Sequence, residues 1–307
     1  GNYIVRMGTN CKETQPIALL RLEETVITCK AKNVLGTPGF TDLRAEAKEA
    51  ENIPADVAVF AIPADVFAKK TVNYDTKEEI LPEVDALSVE DAALMNIGGF
   101  NPNKGGLASV IGNASTQVCG AAGETTQYVK DFPSLVMADG PAGLRLAKEY
   151  YKDEKGIHAI GQSAIPDSFL DFMSKPMIFF MKLFTGGNKG SKEENKIKYQ
   201  YCTAIPIGTA IAQSFNTELA EMYGDIVGSE MEMFGVHLWL APALNIHRSI
   251  RCGRNFEYFS EDPLISGLMA AAITEGVQKH PGCGTTIKHY AANNKELNRY
   301  TNDSQVS

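Results

Sequence analysis

HLWLAPALNIHRSIRCGRNFEYFSEDPLISG at 237–267 and GCGTTIKHYAANNKELNR at 282–299 decide how this chain is read. Each holds an apolar run of strand length, His237 to Leu240 in one and Thr285 to Ile287 in the other. Each run then empties into polar, charged and aromatic residues at its C-terminal end. PSLVMADGPAGLR at 133–145 repeats the design, with Leu135, Val136 and Met137 leading into Asp139 and then Arg145. Buried strands that each deliver charged groups at the same end are how a parallel α/β barrel gathers its chemistry at the C-terminal face.

Working outward, strands are expected at about 134–138, 203–207, 236–241 and 285–290. Capped helical patterns run from Asn216 to Phe234 and from Pro263 to Lys279. Strands alternating with helices argue for βα units and a parallel sheet. The interval 146–200 is too long for a plain connection and reads as an excursion above the strand ends, in the position of a lid. Its run FLDFMSKPMIFFMKLF at 169–184 is packing rather than a cofactor box, and Asp171, Lys175, Pro176 and Lys182 interrupt it too often for a membrane span. Only four βα units fit before Ser307, whereas a (β/α)8 barrel needs twice that. The expectation is a partial barrel, with the chain cut at both ends.

Upstream, residues 1–29 are β-branched with partial alternation and read as the end of a β domain. Residues 30–84 shift to Ala, Glu, Lys, Pro and Asp, a linker or wrapping segment with one short strand candidate at 57–62. Ser88 and Asp91 make a capping box for a short helix that Gly98-Gly99 is expected to stop. KGGLASVIGNASTQVCGAAGE at 104–124 lacks the Gly-Lys-Ser/Thr ending of a phosphate loop and reads as a close-packed surface loop. The sequons at Asn113 and Asn302 are short enough to arise by chance.

The chain has 307 residues, 44% hydrophobic and 21% charged, which is enough for a sizeable core. A formal charge of −8 argues against nucleic acid or an anionic membrane as partner, since both need a basic patch, and a neutral or weakly polar small molecule fits better. Six cysteines (11, 29, 119, 202, 252 and 283) show no metal-ligand spacing and no paired motif. They read as reduced and mostly buried, with a cytoplasmic setting expected, and no cofactor or metal is called for.

At the strand ends each candidate has two readings. Asp139 before Gly-Pro either starts a turn or accepts hydrogen bonds in a pocket. Arg254 and Glu257 could simply pair, and Glu261-Asp262 before Pro263 fit carboxylates at a helix N-terminus. His247 is as readily structural as functional. Lys288 and His289 are harder to dismiss, because a buried lysine is costly unless paired and neighbouring strand residues face opposite ways. One carboxylate, several fixed cations, an imidazole and the aromatics Trp239, Phe256, Tyr258 and Tyr290 together describe a sugar pocket.

DGPAGLR at 139–145, GRNFEYFSEDP at 253–263 and KHYAANNKELNR at 288–299 resemble the barrel domain of glycoside hydrolase family 3, the β-glucosidase-type exo-glycosidases. The resemblance spans about 85–307, and residues 1–30 resemble the last strands of that family's fibronectin-like domain, as in members where this domain precedes the barrel. It implies an α/β fold made of a remnant of a fibronectin-like β-sandwich (1–30), a linker (31–84) and the N-terminal half of a TIM-like barrel (85–307). It further implies a substrate-binding set of Asp139, Arg145, Arg254, Lys288 and His289, with Asp139 accepting sugar hydroxyls and the others donating. The family's nucleophile and acid/base motifs do not occur in the chain, so the resemblance implies an inactive piece of a retaining exo-β-glycosidase completed by the rest of the polypeptide or a complementing chain. The alternative is a non-catalytic sugar- or partner-binding protein. The usual N-acetylglucosaminidase signature is not evident, which favours glucose or xylose.

Overall fold

The computed structural model describes all residues except 11, 33–38, 40–51, 76, 78, 100–114, 127, 130, 155, 161–172, 180–195 and 305–307. Cys11, Asn113 and most of the 104–124 and 169–184 stretches discussed above lie outside the described residues. One compact unit takes in Gly1–Ile80 and a second Leu81–Asp303.

In the first unit β1 (Asn2–Gly8) pairs antiparallel with β2 (Thr14–Leu22). The register shifts where Arg6 meets Pro16, at a bulge. A bulge is where a strand tolerates a proline, which has no N–H for the ladder. The strand expected in the linker forms as β3 (Ala58–Ile62), and it joins this sheet parallel to β2. The linker therefore supplies the third strand that two strands alone would lack.

The second unit is α/β with mixed sheets. It starts with α1 (Pro82–Asp85) and α2 (Val89–Leu94). Ser88 Oγ accepts from the Asp91 N–H, as the capping box requires, although α2 ends before Gly98. The main sheet has the order β10-β9-β5-β4, from β4 (Gly123–Glu124), β5 (Val136–Ala138), β9 (Leu238–Trp239) and β10 (Gly284–Thr285). The β5, β9 and β10 strands are parallel neighbours, and β4 is antiparallel to β5.

Two expectations need correction. The 203–207 segment is not a strand: its Ile205 N–H donates to the Ala142 carbonyl (3.1 Å), docking it on the loop after β5. Pro206, with no N–H, also suits it poorly to a sheet interior. Among the described residues this sheet has three parallel strands, not four, and its fourth member comes from the Gly/Ala-rich stretch read as a loop. The described part of the 146–200 excursion is likewise structured. In it β6 (Glu149–Asp153), β7 (Gly156–Ala159) and β8 (Lys198–Tyr199) form an antiparallel sheet of order β7-β6-β8.

After the short α3 (Gly208–Ala212), α4 (Thr217–Phe234) and α5 (Pro263–Gln278) flank β9 in sequence. Asn216 caps α4 by accepting from the Leu219 N–H, and Gly235 closes it in the left-handed region at φ 73°. Asp262 caps α5 by accepting from the Leu264 and Ile265 N–H groups, so the helix-terminus reading of this residue holds. The core joins Val136, Ala138 and Trp239 of the sheet, with Ala241 just past β9, to Ala220, Val227 and Met231 of α4 and Met269, Ile273 and Val277 of α5.

Glu124 on β4 is buried, and its carboxylate closes the 115–118 turn. Oε1 accepts from Ser115 Oγ (2.7 Å) and from the Thr116 and Gln117 N–H groups (2.6 and 2.9 Å). Burial pushes its carboxyl up, but these donors outweigh that and hold it below the ordinary value. Glu124→Gln should therefore cost about 1.5–3 kcal/mol in urea unfolding at neutral pH. Because the folded pKa is depressed, the contribution is full above the ordinary carboxyl value of 4.5 and is lost as pH falls through the folded value. The wild-type and variant curves should thus converge in acid.

Candidate functional site

Parallel pairing brings the C-terminal ends of β5, β9 and β10 to one end of the sheet. Asp139 follows β5 directly. The loop after β9 holds Asn245, His247 and Arg254, and Lys288-His289 lie just past β10, where Lys288 bridges Ala243. Folding thus joins Lys288 Nζ to Asp139 Oδ1 at 2.9 Å across 149 residues of sequence. Arg145 Nη2 holds the other oxygen, Oδ2, at 2.8 Å. The tight loop between Asp139 and Arg145 depends on glycine. Gly140 and Gly143 have φ of +120° and +112°, and a Cβ at either would lie 2.0–2.1 Å from a backbone oxygen.

This carboxylate is half-buried with one cation on each oxygen. Burial pushes it up, but the Lys288 ammonium, the Arg145 guanidinium and the Gly140 N–H together hold it below the ordinary value. Asp139 is therefore an acceptor at every physiological pH and does not serve as an acid. The turn-forming reading also holds, since the Asp139 carbonyl accepts from the Arg145 N–H (2.9 Å).

Arg254 Nε pairs with Glu257, whose side chain is buried. Arg254 also lies close enough to His289 to disfavour its protonation. Burial, Arg254, Lys288 and Arg299 push that imidazole down to about 4, against the opposing pull of Glu257. His289 is thus neutral near pH 7. The five residues named from the sequence accordingly fall into two linked groups, Asp139 with Arg145 and Lys288, and His289 with Arg254.

Other expectations shift. Trp239 is fully buried, with Nε1 donating to the Gly140 carbonyl (2.9 Å), so it braces the Asp139 loop from below instead of walling a pocket. Tyr258 is fully buried as well, and burial pushes its phenol up to about 12. Phe256 and Tyr290 remain exposed. His247 is structural: Nε2 lies 2.9 Å from the Asn255 carbonyl, which requires the ring to donate. His237, read from the sequence only as the start of a strand, accepts the Val136 N–H through Nδ1 (3.0 Å) and so splices β5 to β9. A separate cavity of about 310 Å³ opens between α3 and the loop after β9. Its lining includes Phe215, His247, Ile250 and Phe259 but none of Asp139, Arg145, Arg254, Lys288 or His289. Among the described residues no group of His, Cys, Asp and Glu is arranged to hold a metal ion.

Residues 190–303, which contain Arg254, Lys288 and His289, match the Glycosyl hydrolase family 3 N terminal domain. This segment belongs to glycoside hydrolase family 3. Beta-glucosidase A of Butyrivibrio fibrisolvens is 46% identical over 105 residues, which is 34% of this chain and 12% of that protein. An exo-alpha-(1->6)-L-arabinopyranosidase of Bifidobacterium longum is 41% identical over 105 residues, 34% of this chain and 14% of its own. The matched region is thus a small fraction of these relatives' length. Among solved structures, beta-glucosidase 3B from Thermotoga neapolitana in complex with glucose is 34% identical. It covers 69% of this chain and 23% of its own, with a TM-score of 0.48. Asp139 and Arg145 lie outside the family match; the Lys288 bond ties Asp139 to it, and Arg145 follows through its own bond to Asp139.

Proposed function

We propose that the ends of β5, β9 and β10 form the sugar-holding side of a retaining, exo-acting β-glycosidase of the β-glucosidase type. The observation that carries this reading is the Asp139 carboxylate clamped between Lys288 and Arg145, with neutral His289 beside it. A sugar hydroxyl both donates and accepts, so its recognition needs a fixed anion and fixed cations side by side. The sugar relatives fit that chemistry.

The same set does not break a glycosidic bond by itself. A retaining glycosidase needs two carboxyl groups about 5–5.5 Å apart, one attacking and one protonating. Asp139 is committed to two cations and Glu257 to Arg254, so both carboxylates are occupied in holding donors. The reacting pair is proposed to come from residues beyond this set. In the same reading the strands of the second unit belong to a partial (β/α)8 barrel, and β1 and β2 to a fibronectin-like sheet.

The test is hydrolysis of nitrophenyl β-D-glucoside, β-D-xyloside and α-L-arabinopyranoside by the polypeptide as its organism makes it. Turnover of the glucoside or xyloside is expected. A folded protein that hydrolyses none of the three overturns the glycosidase reading, and monosaccharide binding without turnover would replace it with a sugar-binding protein.

A further inference from the structure

The His289 ring meets Asn245 in a way that decides which nitrogen carries its proton. Asn245 is buried, and two bonds to the backbone of His289 fix its amide: Oδ1 accepts from the His289 N–H (2.9 Å) and Nδ2 donates to the His289 carbonyl (3.1 Å). Flipping the amide would oppose donor to donor and acceptor to acceptor. Oδ1 therefore faces the ring, 3.2 Å from Nδ1. A bare Nδ1 would set two lone pairs against each other, whereas Nδ1–H donates to the second lone pair of Oδ1.

Tyr258 is the competing partner, with its hydroxyl 3.3 Å from Nδ1. That hydroxyl is already satisfied without the ring, since it donates to the Asn293 carbonyl (3.1 Å) and accepts from Asn293 Nδ2 (3.0 Å). Turning it toward Nδ1 would deprive the Asn293 carbonyl of this donor and leave Asn245 Oδ1 opposed to a lone pair. Among the described residues none bonds Nε2, on the opposite edge of the half-buried ring.

We propose that Asn245 is a positioning residue that locks His289 as the Nδ1–H tautomer, so that Nε2 offers a lone pair and accepts the proton of a ligand hydroxyl. This reverses the donor role that the family resemblance implied for His289. The cations Lys288 and Arg254 then donate to ligand oxygens while His289 and Asp139 accept. The ligand role rests on the sugar reading above, but the tautomer does not.

The test begins with long-range ¹H–¹⁵N spectra of histidine-labelled protein at neutral pH, with His289 assigned among the five histidines by its loss in His289→Gln. Wild type is expected to show a protonated Nδ1 and a bare Nε2, Asn245→Ala to lose that preference, and Tyr258→Phe to keep it. A protonated Nε2 in wild type overturns the proposal, as does a tautomer that Asn245→Ala leaves unmoved or that Tyr258→Phe switches. Should Asn245→Ala fail to fold, the wild-type spectrum still decides the tautomer, and a second measurement reads the role of Nε2. Monodeoxy and monofluoro forms of the sugar that binds are compared, since fluorine accepts weakly but donates nothing. At the hydroxyl facing His289 both analogues should lose affinity about tenfold, equally. If, at every hydroxyl, the fluoro form binds better than the deoxy form, His289 is a donor and the proposal fails. If no sugar binds, the sugar reading falls while the spectra still judge the tautomer.

Discussion

Gly276→Ala should destabilise the second unit by about 2 kcal/mol or more, whereas Gly267→Ala, on the same helix, should stabilise it by about 0.5–1 kcal/mol. In an exposed helix interior alanine is favoured over glycine by close to that amount. At Gly267 nothing lies within 4 Å of where a Cβ would stand, so the preference is realised in full. At Gly276 the same atom would lie 2.1 Å from the Glu221 carbonyl oxygen and 2.8 Å from the Asp225 nitrogen, both backbone atoms of α4. The contact is reciprocal, because a Cβ on Gly224 would lie 2.1 Å from the Ile273 oxygen of α5. Backbone cannot yield as a side-chain tip can, so α4 and α5 would have to separate along a seam that also buries Val227, Met231, Ile273 and Val277. Urea unfolding of the two variants beside wild type gives the answer in the sign of each shift. Two stabilising shifts would mean that the helices do not touch through these glycines.

That seam shows which parts of the molecule were legible in the sequence. Helices α4 and α5 could be bounded to within a residue because Asn216, Gly235, Asp262 and Pro263 act locally, on the N–H and C=O groups at each end. The glycines of the seam carry no such signal, since what excludes a side chain at Gly276 is another helix. Two-residue strands such as β4, β9 and β10 are too short for a period to be counted, so by sequence β4 reads as loop and 203–207 as strand. Asp139, Lys288 and His289 stand out in the sequence because charged residues ending an apolar run demand an explanation, whereas Arg145 and Arg254 join them only through the family resemblance. Asn245 and Asn293 do not stand out, because an uncharged amide acquires meaning only from the atoms that the fold sets beside it. Trp239 and Tyr258 were misplaced for a related reason. Each has a polar handle that suggests a surface, and here each handle is satisfied within the protein.

If the glycosidase proposal above is right, Asp139→Ala should lower kcat/KM for the glycoside hydrolysed by about 10³-fold. Two charge-assisted hydrogen bonds to sugar hydroxyls, each contributing about 1.5–3 kcal/mol, bracket that figure. Asp139→Asn should be nearly as damaging although it preserves shape. One carboxylate oxygen would become an NH₂ group directed at either the Lys288 ammonium or the Arg145 guanidinium, both donors. The lost charge also has a pH signature. The folded pKa of Asp139 lies below its ordinary value of 3.8, so its contribution to stability is complete above 3.8 and disappears as pH falls through the folded value. Wild type should therefore lose stability relative to Asp139→Asn on acidification, by a modest amount because Arg145 and part of Asp139 are exposed to solvent. Activity and stability thus respond to one carboxylate in separable ways. If Asp139→Asn kept full turnover while still showing the altered acid unfolding, the clamp would be a brace for the loop after β5, and hydroxyl recognition would have to be sought elsewhere along the strand ends.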